Sequence, residues 1–392
     1  MNSGTGGTHP ADMNPEETDQ PGGASEAGAS QAGGQPKGAP EGGNQPDSPQ
    51  AGGPEPDIPP LPAPQPELRR DPITAVWVIL ARGRGKRPHA PAPARAVDQR
   101  DEECPFCPGH EDRTPPEICA MRRDGEGECD KPGWKVRVIP NRYPILVSDV
   151  YRAGVERAVS PDRRPALGTS EVIVDTPEHS KAPWQVGTEQ TLRMLEMYRD
   201  RIEVIKKEGR ASYVHIIRNY GAAAASSLEH PHSQLFGLPF IPPTIDVELD
   251  GFVFAYPGTA GCVLCDIIAD TEKEGDRVIL ATENFLAFSP FASRLPYEAW
   301  IVPRRHSLRF ERCEELPELA ELMTTLLGRY YDRLGDPPLN YWVHTYPLHG
   351  ESRPYHWHIE ILPRLTLAGG LELGAGVWVN TVSPEEAAAQ LR

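Results

Sequence analysis

Polar and apolar side chains alternate through "WKVRVIP", where Lys135 and Arg137 separate Trp134, Val136 and Val138, and a period of two predicts a strand with one buried face. Strand-like runs recur at "YPILVS", "SEVIVD", "SYVHIIRN" and "HSQLFGLPF", and an earlier one spans Val76 to Leu80. The period changes in "EQTLRMLEMYRDRIEVIKKEG": Leu192, Leu195, Tyr198 and Ile202 share one face of a helix, and Gly209 is its stop. The downstream half reads the same way, with strands in "DRVILATENFLAFSPF", "YEAWIVPRR", "LNYWVHTYPL" and "HWHIEILPR" and a helix in "ELPELAELMTTLLGRYYDRLG". Strands predominate and one long helix crosses in each half. This predicts α+β rather than an alternating βαβ series.

The two halves also carry the same landmarks in the same order. The first runs from Cys104 and Cys107 through "NRYPILVS" and "SEVIVDTPEHSK" to a helix, then "SYVHIIRN", then His230 and His232. The second runs from Cys262 and Cys265 through "ENFLAFSPF" and "YEAWIVPRRHSL" to a helix, then "NYWVHTY", then His356 and His358. From His179 to His230 is 51 residues, and from His306 to His356 is 50. One α+β unit present twice accounts for this, with boundaries at 66–245 and 246–392.

Residues 1–65 read differently. The first 60 contain 13 Gly and 11 Pro, no aromatic residue, and nine acids against the single base Lys37. Such a segment buries too little apolar surface to offset its ordering entropy, so it is expected to be a disordered, solvated leader. It accounts for half of the formal charge of -16, nine acids less one base leaving -8. No basic tract offers the footprint that a phosphate backbone needs, which argues against nucleic acid as a partner. The longest apolar runs are strand-sized, so neither a membrane span nor a signal peptide is expected. A soluble, cytoplasmic chain fits, and in a reducing compartment paired C-x-x-C motifs suggest metal before disulfides.

Each half supplies a C-x-x-C, a His just after a strand, and a His that opens an H-x-H. Two thiolates and two imidazoles are a tetrahedral zinc set, and a two-residue gap lets both sulfurs of a tight turn reach one ion. The expected sets are Cys104, Cys107, His179, His230 and Cys262, Cys265, His306, His356, hence two zincs per chain. A redox pair is the alternative for an isolated C-x-x-C. A rival ribbon joins Cys119 and Cys129 to Cys104 and Cys107, but leaves the repeated histidines unexplained. Cys313 reads as an ordinary thiol.

The reaction centre is expected in "RNYGAAAASSLEHPHSQLFGLPF". Small residues from Gly221 to Ser227 let the backbone approach a ligand and present N–H groups to phosphate oxygens. His232 lies two positions from His230, so on a strand both share a face, and one can bind metal while the other attacks. A neutral imidazole is a good nucleophile toward phosphorus and leaves readily from the phosphoramidate. Gln234, on the same face, can donate to a phosphoryl oxygen. The bland alternative is a structural metal site that uses both histidines. In the second half Glu360 stands where Gln234 does, so His358 is expected to be structural or accessory. His344 and His349 read as surface or satisfied core histidines. Arg84, Lys86 and Arg87 in "RGRGKRP" suit a diphosphate, and Asn141 suits a base or ribose.

Taken together, "RRDPITAVWVI" with "KRP", "CPFC", "NRYP", "DTPEHSK", "RNYGAAAASSLEHPHSQ" and the final "SPEEAAAQLR" resemble the galactose-1-phosphate uridylyltransferases of the histidine triad superfamily, from about Leu68 to the C-terminus. The resemblance implies two tandem histidine-triad-like units and a ping-pong nucleotidyltransferase. In such an enzyme His232 attacks the α-phosphate of UDP-glucose, holds UMP covalently and passes it to galactose 1-phosphate. It implies zinc on the first Cys/His set, phosphoryl contacts from Gln234 and Ser227, and substrate contacts from Arg84, Arg87, Asn141, Asn219 and Glu372. A homodimer is implied as well. Three departures point to a two-zinc branch that includes ADP-glucose phosphorylases: the second C-x-x-C, the serine of H-P-H-S-Q, and "LAGGLELGAGVWVN", which keeps only Glu372 of the expected hexose loop. ADP-glucose with phosphate is thus the alternative substrate pair, and a silent zinc-stabilised nucleotide-sugar-binding protein is the alternative from another class.

Overall fold

The computed structural model describes residues 65–86, 101–122, 127–148, 165–179, 181–257, 261–350 and 352–392. Residues 1–64 of the expected leader, and Arg87, lie outside the described residues. In chain order the strands are β1 (Glu67–Arg70), β2 (Trp77–Leu80), β3 (Cys119–Arg122), β4 (Trp134–Pro140), β5 (Thr169–Val174), β6 (Tyr213–Tyr220), β7 (His232–Leu238), β8 (Val278–Ala281), β9 (Phe285–Phe288), β10 (Ala299–Pro303), β11 (Leu339–His344), β12 (His358–Pro363) and β13 (Trp378–Asn380). The helices are α1 (Thr188–Glu208), α2 (Pro243–Ala255), α3 (Val263–Glu274), α4 (Leu316–Leu334), α5 (Gly370–Ala375) and α6 (Pro384–Leu391).

Ten strands form one antiparallel sheet in the order β3-β4-β5-β7-β6-β11-β12-β10-β9-β8. The order is palindromic about the β6–β11 seam, which is the repeat expected from the sequence: β7 matches β12, β5 matches β10, and α1 matches α4. At the seam Ile216 pairs with Val343 and Asn219 with Asn340, so the two units share one continuous ladder. β1, β2 and β13 make a separate three-stranded sheet in which β13 runs parallel to β2. That small sheet is tied to the second half by Arg69, which donates to Glu385 at 2.6 Å and to the carbonyl of Phe291 at 3.1 Å.

Alternation along β7 separates two faces. Ser233 and Leu235 point toward α1, while His232 and Gln234 point to the opposite face. Helices α1 and α4 cover the first face, where Leu195, Tyr198 and Ile202 meet Leu319, Met323 and Leu326 in the main core. Each fully buried aliphatic side chain contributes about 1.5–3 kcal/mol, so this layer fixes the backbone that carries His232. Gly209 ends α1 with φ +69°, a left-handed cap that glycine takes without strain.

Two expectations are revised. "YPILVS" is not a strand: among the described residues its only ladder contact is a single bridge from Val147 to Leu167, and Pro144 lacks the N–H that a ladder needs. Helix α2, unforeseen from its β-branched, proline-led sequence, starts with Pro243 at its first position and buries Ile245, Leu249 and Phe252. Positions 245 and 246, where the halves were expected to meet, lie in its first turn. No described helix is long and apolar enough to cross a membrane.

Candidate active site

The first Cys/His set comes together. Cys104 and Cys107 lie in a turn before β3, His179 follows β5, and His230 precedes β7. Donor separations are 3.6 Å from Cys104 Sγ to His230 Nδ1, 3.6 Å from Cys107 Sγ to His230 Nδ1, 3.3 Å from Cys107 Sγ to His179 Nδ1, and 3.3 Å between the two Nδ1 atoms. Bonds of about 2.3 Å to sulfur and about 2.0–2.1 Å to nitrogen, at tetrahedral angles, give edges of about 3.6 Å for S···N and about 3.3 Å for N···N. The set is thus the size of a four-coordinate metal site. His230 donates Nε2–H to the Thr176 carbonyl at 2.8 Å, which leaves the lone pair of Nδ1 for the ion. Burial pushes His230 down to about 4, so the ring stays neutral, as a ligand must.

The second set repeats this arrangement. Cys262 caps α3 and Cys265 stands in its first turn, so helical spacing rather than a tight turn brings the sulfurs together. His356 Nδ1 is 3.7 Å from Cys262 Sγ and 3.5 Å from Cys265 Sγ, and Cys265 Sγ is 3.5 Å from His306 Nδ1. His356 Nε2 donates to the Pro303 carbonyl at 2.9 Å. The rival four-cysteine ribbon does not assemble: Cys119 Sγ contacts Met197 Sδ and Cys129 is exposed.

His232 is buried one strand step past His230. Its Nδ1 lies 2.8 Å from the His230 carbonyl; an oxygen there only accepts, so Nδ1 carries the proton and Nε2 the lone pair. Phe106, from the Cys104–Cys107 turn, sets its ring edge against His232 with centroids 5.5 Å apart. The turn that carries Cys104 and Cys107 therefore walls His232. Burial, helped by the Arg218 guanidinium, holds His232 below its ordinary value although the hydrogen bond to the His230 carbonyl opposes this. Activity that requires the neutral ring should thus persist down through pH ~6.5, the usual imidazole midpoint, and fall only at lower pH. A kcat/KM–pH profile checks this, and an acid limb above ~6.5 would contradict it.

Gln234 is half-buried on the face of His232, opposite Val172 and Ile217. Asn219 also stands on that face and accepts from Asn340 Nδ2 at 2.8 Å across the seam. In the Gly/Ala turn Gly221 has φ +79° and packs so closely on Pro338 that a Cβ would come within 3.0 Å. The amides of Ala224, Ala225 and Ser226 close on carbonyls of the same turn, so those three do not face a phosphate, and Ser227 is exposed beyond them. Asn141 accepts from the Tyr143 amide at 2.9 Å and borders a cleft of about 800 Å³ with Arg142, Ser170 and Arg201, at the end of β5 remote from His232. Arg84 is exposed in a short 3-10 turn after β2, and Glu372 caps its own helix through the Gly369 amide at 2.8 Å. The described contacts do not bring these last three residues to His232.

Two groups escaped the sequence reading. Behind β7, Asp175 accepts from Arg218 at 2.5 Å and from Ser233 at 3.0 Å, and the Ser233 hydroxyl also meets Tyr198. In the second half, His344 and His358 are buried with Glu248 and Glu360, with donor atoms of all four within 4.8 Å of one another. Burial works against charge on His358, but Glu360 and Glu248 outweigh it and raise its affinity for a proton, while Trp300 stacks on the ring at 4.6 Å. The two H-x-H motifs are therefore poised oppositely. His232 is kept neutral and His358 is biased toward imidazolium, which has no lone pair with which to attack.

Two copies of one α+β unit joined in a single sheet, with the H-P-H-S-Q run confined to the first, define the class of fold. A family model described as "Galactose-1-phosphate uridyl transferase, N-terminal domain" matches residues 62–242. An ADP-glucose phosphorylase of Arabidopsis thaliana is 34% identical over 334 residues, 83% of this chain and 92% of that one. A galactose-1-phosphate uridylyltransferase of Thermotoga maritima is 31% identical over 339 residues, 83% and 97% of the two chains. The solved Arabidopsis ADP-glucose phosphorylase with bound ADP-glucose superimposes with a TM-score of 0.71 at 33% identity, covering 84% of this chain and 99% of that one. The chain belongs to the galactose-1-phosphate uridylyltransferase family, whose members are nucleotidyltransferases.

Proposed function

We propose that this enzyme transfers a nucleotidyl group from a nucleoside diphosphate hexose to a phosphate-bearing acceptor through a covalent intermediate on His232. The observation that carries the proposal is the fixed tautomer: with Nδ1–H held by the His230 carbonyl, the lone pair of a buried, neutral ring projects from Nε2. Nε2 attacks the α-phosphorus, the bond from phosphorus to the bridging oxygen breaks, and hexose 1-phosphate departs with that electron pair. The proton on Nδ1 stays in place and the ring carries the positive charge of the nucleotidyl-imidazolium, stabilised by the carbonyl it donates to. An oxygen of the acceptor phosphate then attacks the same phosphorus and His232 leaves as neutral imidazole, so no external base or redox partner enters the balance. Gln234 donates to a phosphoryl oxygen as charge builds there. Zinc is the ion that best fits two Cys₂His₂ sets, and its part is to hold the His230 backbone and the Phe106 turn against His232.

Two substrate pairs suit this chemistry. UDP-glucose with galactose 1-phosphate is supported by the family description and by the Thermotoga relative. ADP-glucose with inorganic phosphate is favoured by the higher identity of the Arabidopsis enzyme, 34% against 31%, and by the superposition on its ADP-glucose complex. Intact-protein mass after mixing with each donor, no acceptor present, decides between them. One nucleotidyl adduct per chain is expected on the wild type and none on His232→Asn. A uridylyl adduct selects the first pair and an adenylyl adduct the second, while no adduct from either donor would refute the covalent step.

A further inference from the structure

The internal repeat supplies a control that a single catalytic unit lacks, because each residue around His232 has a counterpart around His358. Val172 pairs with Gln234 and Trp300 with Glu360, so Val174 and Val302 hold matching places at the ends of β5 and β10. From Val174 to the metal-site His179 is five positions, but from Val302 to His306 is four. The ligand contacts locate the difference: His230 donates to the carbonyl of Thr176, and His356 donates to that of Pro303, the residue directly after Val302. Between the end of the strand and that carbonyl, Asp175 is the one extra residue of the first half.

Its partners are also particular to that half. Ser233 pairs with Arg218 across the β6–β7 ladder, and at the matching register Ile359 pairs with Val343. The second unit therefore builds the same sheet with two apolar residues and no acid where the first places a buried Asp175–Arg218–Ser233 triad. All three members are at most 3% exposed, and Asp175 Oδ1 has no hydrogen-bond partner among the described residues. A buried ionic network commonly gives no more stability than apolar residues of similar volume, and an unsatisfied oxygen adds a desolvation cost. The fold alone does not require it.

We propose that Asp175 is a positioning residue for His232, acting through Ser233 and the 230–231 backbone; the inference rests on His232 being the nucleophile. The contacts bracket His232 on both sides. The Asp175 amide donates to the Pro231 carbonyl at 3.0 Å, the adjacent Thr176 carbonyl takes His230 Nε2–H, and the Asp175 carboxylate takes the Ser233 hydroxyl. The His232 ring itself hangs from the His230 carbonyl, so the aim of Nε2 is inherited from backbone that Asp175 and Thr176 hold. Arg218 fixes the carboxylate from behind, and Tyr198 reaches Ser233 from α1.

The test is a rapid-quench measurement of nucleotidyl-His232 formation in the full-length, metal-loaded protein, with adduct stoichiometry and metal content measured in parallel. Ser233→Ala removes the hydroxyl yet keeps the Asp175–Arg218 pair, and Asp175→Asn removes the charge. In both variants the rate constant per active site should fall about 100-fold, the scale of a misplacement of about 1 Å, with stoichiometry near one and two metals retained. An unchanged rate constant per active site in Ser233→Ala, with only thermal stability reduced, would reduce the network to scaffolding. Should Asp175→Asn fail to fold, Ser233→Ala still decides. The wild-type arm separates the two readings: no adduct on wild-type His232 overturns the nucleophile and the positioning role together, whereas a wild-type adduct with an unslowed Ser233→Ala overturns only the latter.

Discussion

Replacing His232 by Asn is expected to lower turnover about 10⁴-fold or more while leaving metal content and folding intact. The separation follows from geometry. His230 turns Nδ1 toward both thiols and is oriented by the Thr176 carbonyl; among the described residues His232 meets no thiol, and its Nδ1–H is held by the His230 carbonyl. Asn approximates the Nδ1–H donor with its amide but has no nucleophilic nitrogen, so the backbone hydrogen bond can survive and attack cannot. Steady-state assay, metal analysis and circular dichroism on the same preparation check the claim. Loss of a metal ion in this variant would identify His232 as a ligand and contradict the assignment.

Metal removal has the second large effect, and it should differ between the two sites. Wild-type protein is expected to hold about two zinc ions per chain, as two tetrahedral sets require. Cys107→Ser should lose one of them, lower Tm by about 10 °C through a stability loss of several kcal/mol, and abolish most activity. Activity falls because the turn that carries Cys107 also carries Phe106, whose ring contacts both His230 and His232. Cys265→Ser should likewise lose one ion, yet retain activity within about tenfold at a temperature where the protein stays folded. Its site orders the start of α3 and reaches His232 only through the shared sheet. Metal content by mass spectrometry and melting curves measure both variants. An unchanged zinc content in Cys107→Ser would contradict the ligand set.

The repeat and both Cys/His sets were legible because they are written in residue type and spacing. Cys-x-x-C followed by two histidines about 50 residues apart reads from the chain in one dimension, and the long helix reads from Leu192, Leu195, Tyr198 and Ile202. Helix α2 was not legible, since Ile245, Val247 and Phe252 suit a strand equally and only packing against α3 and β9 to β10 decides for a helix. His344 looked like a bland core histidine; its neighbours come from two other elements, Glu248 from α2 and His358 with Glu360 from β12.

The chain alone established that there are two copies of an α+β unit, that each carries a Cys₂His₂ set, and that the first adds H-P-H-S-Q, because periodicity, ligand spacing and motif are local properties. Which histidine has a lone pair free for attack depends on the folded backbone. A free lone pair depends on which nitrogen faces a carbonyl, and that carbonyl's direction is set by ladders joining residues far apart in sequence. The palindromic sheet and the surroundings of Asp175 belong to the same category: one extra residue before His179 is a small change in a string, and only the fold brings Ser233 and Arg218 beside it from two other strands.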